Sequence, residues 1–189
     1  EASRSTIDQM IRSSLGIGWN WEPPYDDNGD FEWCGAFAAY AWRAAGIHLA
    51  TRRTFFASTY RLDRWARYLS FENASNPKPP EGPYRIRLEL DESSTPADAA
   101  MFGPRAGDIL MVGGVKTGYG KHITIVESFD PQSGWFTTLE GNGTAYGPTG
   151  QRQHGVVRGR RRVGLASGEP STTYFARRLI RPSALDLSL

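Results

Sequence analysis

Apolar and polar positions change rhythm once along this chain. Up to about residue 70 the apolar positions recur at three- and four-residue steps, the period of a helix with one buried face. Ile7, Met10, Ile11 and Leu15 share such a face over residues 5–15, with Ser5 and Asp8 resembling a capping box at the start and Gly16 at the end. A second helix is predicted from Cys34 onward: alanines dominate, no proline interrupts, and Gly46 stands where a left-handed C-terminal cap belongs. A third is predicted over residues 54–69, with Phe55, Phe56, Tyr60, Leu62, Trp65, Ala66 and Leu69 largely on one side.

From residue 105 the pattern is that of strands. Ile109–Val112 is a continuous apolar run, and His122–Phe129 and Trp135–Glu140 follow, separated by the turn Asp130-Pro131-Gln132-Ser133-Gly134. Gly141-Asn142-Gly143 reads as the end of the third strand, and Val156–Arg158 and Tyr174–Ile180 are the fourth and fifth. Helices followed by an antiparallel meander predict an α+β fold, with N-terminal helices packed on a sheet of about five strands. Between the halves, residues 71–104 carry prolines at 77, 79, 80, 83, 96 and 104 and read as an irregular insert, apart from a short alternating strand at Tyr84–Leu90. Residues 1–189 are expected to be a single domain carrying that Pro-rich insert.

Composition narrows the function classes. The chain has 22 basic and 20 acidic residues, a net charge of +2, too balanced to point to nucleic acid. Arg158-Gly-Arg-Arg-Arg162 is the densest basic run, but strand alternation splits its charges between two faces, as in a solvated edge; contact with anionic wall polymers is the second reading. There is no apolar run long enough to span a membrane and no visible signal peptide. The first residue is Glu1 rather than Met, which suggests a processed or excised chain, from which an export signal could have been removed. A single cysteine excludes an internal disulfide and a multi-cysteine zinc site.

That cysteine, Cys34, falls at a predicted helix N-terminus. Unpaired N–H groups there favour negative charge and serve as donors to an oxyanion. A thiolate nucleophile needs a base, and the base needs an orienting partner. His122 opens a strand beside the glycines at 118 and 120, and one hairpin later Glu140 and Asn142 end the neighbouring strand. In an antiparallel pair the start of one strand lies beside the end of the next, so either residue is placed to hold the imidazole. His48, just past the cysteine helix, reads as a capping cation. The loop at 16–32 runs into Cys34 with Trp19, Trp21, Tyr25 and the acids Glu22, Asp26, Asp27, Asp30 and Glu32. Without EF-hand spacing it is not read as a calcium loop. Trp21, Asp30, Glu32 and Trp33 are the candidate substrate-binding residues, an acidic wall suiting an amine-bearing substrate. No metal or cofactor is expected.

Four blocks in order, Trp33-Cys34-Gly35-Ala36-Phe37, Pro104–Leu110, Lys121–Val126 and Leu139–Gly143, resemble a CHAP domain of the NlpC/P60-like cysteine peptidases and amidases. The resemblance covers about residues 5–180. It implies a papain-like α+β fold and hydrolysis of amide bonds in bacterial peptidoglycan, either the N-acetylmuramoyl-L-alanine bond or a bond within the stem peptide. By motif, Cys34 would be the nucleophile, His122 the base, and Glu140 and Asn142 the orienting residues. Trp33 departs from the pattern: many CHAP domains carry Gln before the cysteine, and the NlpC/P60 branch often carries Asp.

The implied partner is the peptidoglycan stem peptide, in wall remodelling, phage lysis or an antibacterial toxin. The last setting would add an immunity protein and secretion machinery. Location would be secreted, periplasmic or at the cell wall. Two rival readings stand beside this one. The first is a papain-like effector, a deamidase, protease or acyltransferase, acting on a protein target. The second is a wall-binding module with a vestigial site, against which an intact Cys, His, Glu and Asn set argues.

Overall fold

The protein is described from a computed structural model, over residues 33–46, 84–115, 121–146, 152–170 and 173–182. Helix α1 (Cys34–Ala44) comes first, followed by strand β1 (Tyr84–Glu89) and helix α2 (Pro96–Phe102). Strands β2 (Ile109–Gly113), β3 (His122–Asp130), β4 (Trp135–Tyr146), β5 (Arg152–Arg162) and β6 (Phe175–Pro182) complete the order. The six strands make one antiparallel sheet in the order β1-β6-β2-β3-β4-β5. A parallel bridge between Val163 and Ala176 ties the end of β5 back to β6, so the sheet curls on itself.

This corrects the expected architecture. The described residues form a six-stranded antiparallel sheet carrying two helices, not a papain-like α+β arrangement of several N-terminal helices on about five strands. The sixth strand is β1, inside the Pro-rich stretch, where it pairs with β6 (Ile86 with Ile180). Its partner lies some ninety residues away in sequence, so no local pattern announces the pair. The helices predicted over 5–15 and 54–69 lie outside the described residues. Helix α2 also falls in the stretch read as irregular. Its signal was present: Thr95 is the N-cap, Pro96 begins the helix, and Thr95 and Asp98 exchange hydrogen bonds in a capping box, ending at a left-handed Gly103 (φ 64°).

Both faces of the central strands are covered. Every residue of β2 is buried. Leu110, Val126, Phe136 and Leu179 cluster with Leu90, Ala99, Val163 and Ala176, and Phe102 of α2 packs against them. Ile109, Met111, Ile123 and Ile125 alternate with that set along β2 and β3 and are buried too. Helix α1 lies against β3 and β4. Its C-terminal half is tied down by the Trp42 indole N–H, which donates to Gly107 O at 2.7 Å. Its N-terminal half sits against Gly141, where an added Cβ would collide with Phe37 and come within 2.9 Å of Trp33. The lack of a side chain at 141 therefore sets how closely the cysteine end of α1 approaches β4.

Strand β4 does not end at Gly141-Asn142-Gly143, as the glycines suggested; it continues to Tyr146. The β4–β5 register passes from Glu140 opposite Val157 to Gly143 opposite Gly155, two residues of β4 bulging opposite one of β5. The bulge absorbs the glycines without breaking the strand.

Candidate active site

Cys34 is the first residue of α1 and is 3% exposed. Trp33, the N-cap, offers no side-chain acceptor to the first-turn amides, and the first turn contains no acid. The positive end of the helix is therefore left for whatever negative charge forms at Cys34 or beside it. Trp33 itself is buried and meets Phe37 edge-on, the ring centroids 6.4 Å apart. Its indole packs α1 down onto Gly141, a packing role in addition to any contact with substrate.

His122 begins β3, paired with Val112 of β2. Its side chain is 16% exposed, and Nε2 lies 3.1 Å from Glu140 Oε2. Cys34 is near enough to the same imidazole to help hold its proton. The imidazole thus stands beside both the cysteine and the carboxylate, hydrogen-bonded to the latter. Asn142 lies in the bulge of β4, and its side chain lies outside the described residues. Asp30, Glu32 and Trp21, with the rest of the acidic loop, lie outside them as well.

Glu140 is buried, its side chain 2% exposed. A buried carboxylate is stable only if its oxygens are satisfied. Here Thr138 Oγ1 donates to Oε1 at 2.7 Å, and Oε2 accepts from both His122 Nε2 and Arg161 Nη2, the latter at 2.6 Å. Gly159 makes the room: a Cβ there would fall on Glu140 Oε1. Burial pushes the Glu140 carboxyl up, but the His122 hydrogen bond, the Arg161 charge and the Thr138 hydroxyl outweigh it and bring it down to about 2. His122 is balanced the same way. Burial lowers it, while the neighbouring Cys34 and the hydrogen-bonded Glu140 carboxylate raise it to about 9. Near neutral pH the ring is an imidazolium, flanked by the carboxylate on one side and the cysteine on the other.

Arg161 is the member of this site that the sequence reading missed, having absorbed it into a solvated basic run. The run divides by strand parity. Arg158 forms a two-point ion pair with Glu127 at 2.7 Å, Arg160 lies over the Trp135 ring, and Arg162 pairs with Glu169 at 3.2 Å. Arg161 shares the face of Gly159 and points the other way. The available signal was that parity, an arginine two residues from a strand glycine on the same side.

Among the described residues, no group of three or more His, Cys, Asp or Glu is placed to hold a metal ion, and no helix is long and apolar enough to cross a membrane. No protein-family model, curated protein or solved structure matches the chain.

Proposed function

We propose that this protein is a cysteine-dependent hydrolase that cleaves amide bonds in bacterial peptidoglycan. The observation that carries the chemistry is the His122 imidazole held 3.1 Å from the Glu140 carboxylate and close to Cys34, with the cysteine at the N-terminus of α1. The Cys34 thiolate attacks the scissile carbonyl, and the helix-terminal amides lie where the oxyanion develops. His122 passes its proton to the departing amine as the C–N bond breaks, leaving a thioester on Cys34. The neutral imidazole then takes a proton from water, hydroxide adds to the thioester, and the acid leaves as the thiolate is restored. Glu140 holds the ring in orientation through both steps.

The choice of peptidoglycan over a protein target is supported by the resemblance of the four sequence blocks to CHAP domains. The test is to incubate purified sacculi with the protein and to weigh the released fragments by mass spectrometry. Free stem peptides would identify a muramoyl-alanine amidase, and shortened or uncrosslinked peptides an endopeptidase. Intact sacculi, with Cys34-dependent turnover of a protein amide instead, would overturn the peptidoglycan reading and leave the chemistry standing.

A further inference from the structure

Arg161 is 27% exposed at its side chain and reaches the site from the edge strand β5. Its Nη2 donates to Glu140 Oε2, the oxygen that also accepts from His122. The carboxylate is thus bridged by two donors on one oxygen and fixed by Thr138 on the other. Hydrogen bonds between charged partners are short and strong, and a second cation on a shared oxygen reduces what the anion offers the first. A cysteine and a carboxylate alone around a half-buried imidazole would hold its proton tightly. A guanidinium on the far side of the carboxylate counteracts that hold.

We propose that Arg161 is a positioning residue of this site, acting through Glu140: its guanidinium shares the charge of the Glu140 carboxylate, so that His122 can still release its proton to the leaving amine. The proposal rests on the cysteine-hydrolase reading above, but its central consequence is measurable without turnover. Removing the Arg161 charge leaves Glu140 in place, because Thr138 and the space at Gly159 still hold it. The full carboxylate charge then falls on the imidazolium, and His122 becomes harder to deprotonate. Loss of Glu140 itself works in the opposite direction. A residue that merely supported β5 would move neither.

The experiment is an NMR pH titration of the full chain with ¹³C-labelled histidine, the His122 signal assigned by its absence in His122→Ala. Arg161→Gln should raise the His122 midpoint by at least about half a pH unit, and Arg161→Lys, which keeps a cation, should bring it most of the way back. On sacculi, Arg161→Gln should lower kcat about tenfold or more with KM changed less than about twofold, as expected when an interaction acts on the chemical steps rather than on binding. An unchanged or lowered His122 midpoint in a folded Arg161→Gln variant overturns the proposal. If that variant does not fold, Arg161→Met decides on the same titration: a raised His122 midpoint supports the role, and an unchanged or lowered one removes it. A raised midpoint in a protein that leaves sacculi intact upholds the action of Arg161 on His122 and strikes out peptidoglycan alone.

Discussion

His122 Nε2 meets Glu140 Oε2 at 3.1 Å across two neighbouring strands, although the two residues are not directly opposite each other. The ladder pairs Ile125 with Leu139 and Val126 with Thr138. Carried one step further, that register sets Thr124 beside Glu140 and His122 two residues beyond, on the same face. The contact is therefore a diagonal one, which a glutamate is long enough to span.

Because Cys34 stands at the end of α1 and its substitution removes little volume, Cys34→Ala and Cys34→Ser should lose turnover while melting close to the parent. His122→Ala should lose activity by several orders of magnitude, general-base loss alone being roughly 10²–10⁴-fold. His48→Ala and His154→Ala should retain most of it. Fragment release from sacculi, with melting curves alongside, checks all of these; full activity in Cys34→Ala would sink the nucleophile assignment.

The Glu140 carboxylate stabilises the imidazolium, and its loss must move the His122 titration downward from about 9. Glu140→Gln should shift the alkaline limb of the kcat/KM profile toward neutral pH and cost more activity than Asn142→Ala. A limb that stays put in Glu140→Gln would detach Glu140 from the reacting imidazole.

Gly159 holds open the space that the Glu140 carboxylate fills. Gly159→Ala should displace that carboxylate while β5 keeps its backbone pairing. Activity should fall about tenfold or more, and the alkaline limb should move in the same downward direction as in Glu140→Gln. The paired pH profiles test this, and an Ala variant with wild-type kinetics would place the carboxylate elsewhere.

The same groups set the pH dependence of stability. The Glu140 carboxyl lies below its ordinary value of 4.5, at about 2, so it contributes stability that is complete above 4.5 and disappears as pH falls through 2. His122 lies above its ordinary 6.5, at about 9, so its contribution is complete below 6.5 and disappears as pH rises through 9. Melting temperatures measured across both windows should fall at each end in the wild type. Glu140→Gln should flatten the acid side, and His122→Ala the alkaline side.

What the sequence by itself determined about this protein is what short-range periodicity and residue chemistry carry. The alanine-rich run after Cys34 and the left-handed Gly46 define α1. The apolar runs at Ile109, His122 and Trp135 place β2, β3 and the first half of β4. The order of cysteine, histidine and carboxylate names the residues that meet. Tertiary structure decided the rest, because strand register and bulges depend on partners far away in the chain. The partner of β1 is β6, and local alternation at Tyr84–Leu90 carries no trace of it. The bulge at Gly141–Asn142 lets β4 run on to Tyr146, where the glycines alone signalled a stop. Arg161 joins the site because the β4–β5 register sets Thr138 opposite Gly159 and Phe136 opposite Arg161, turning one arginine of a basic run inward onto a buried carboxylate.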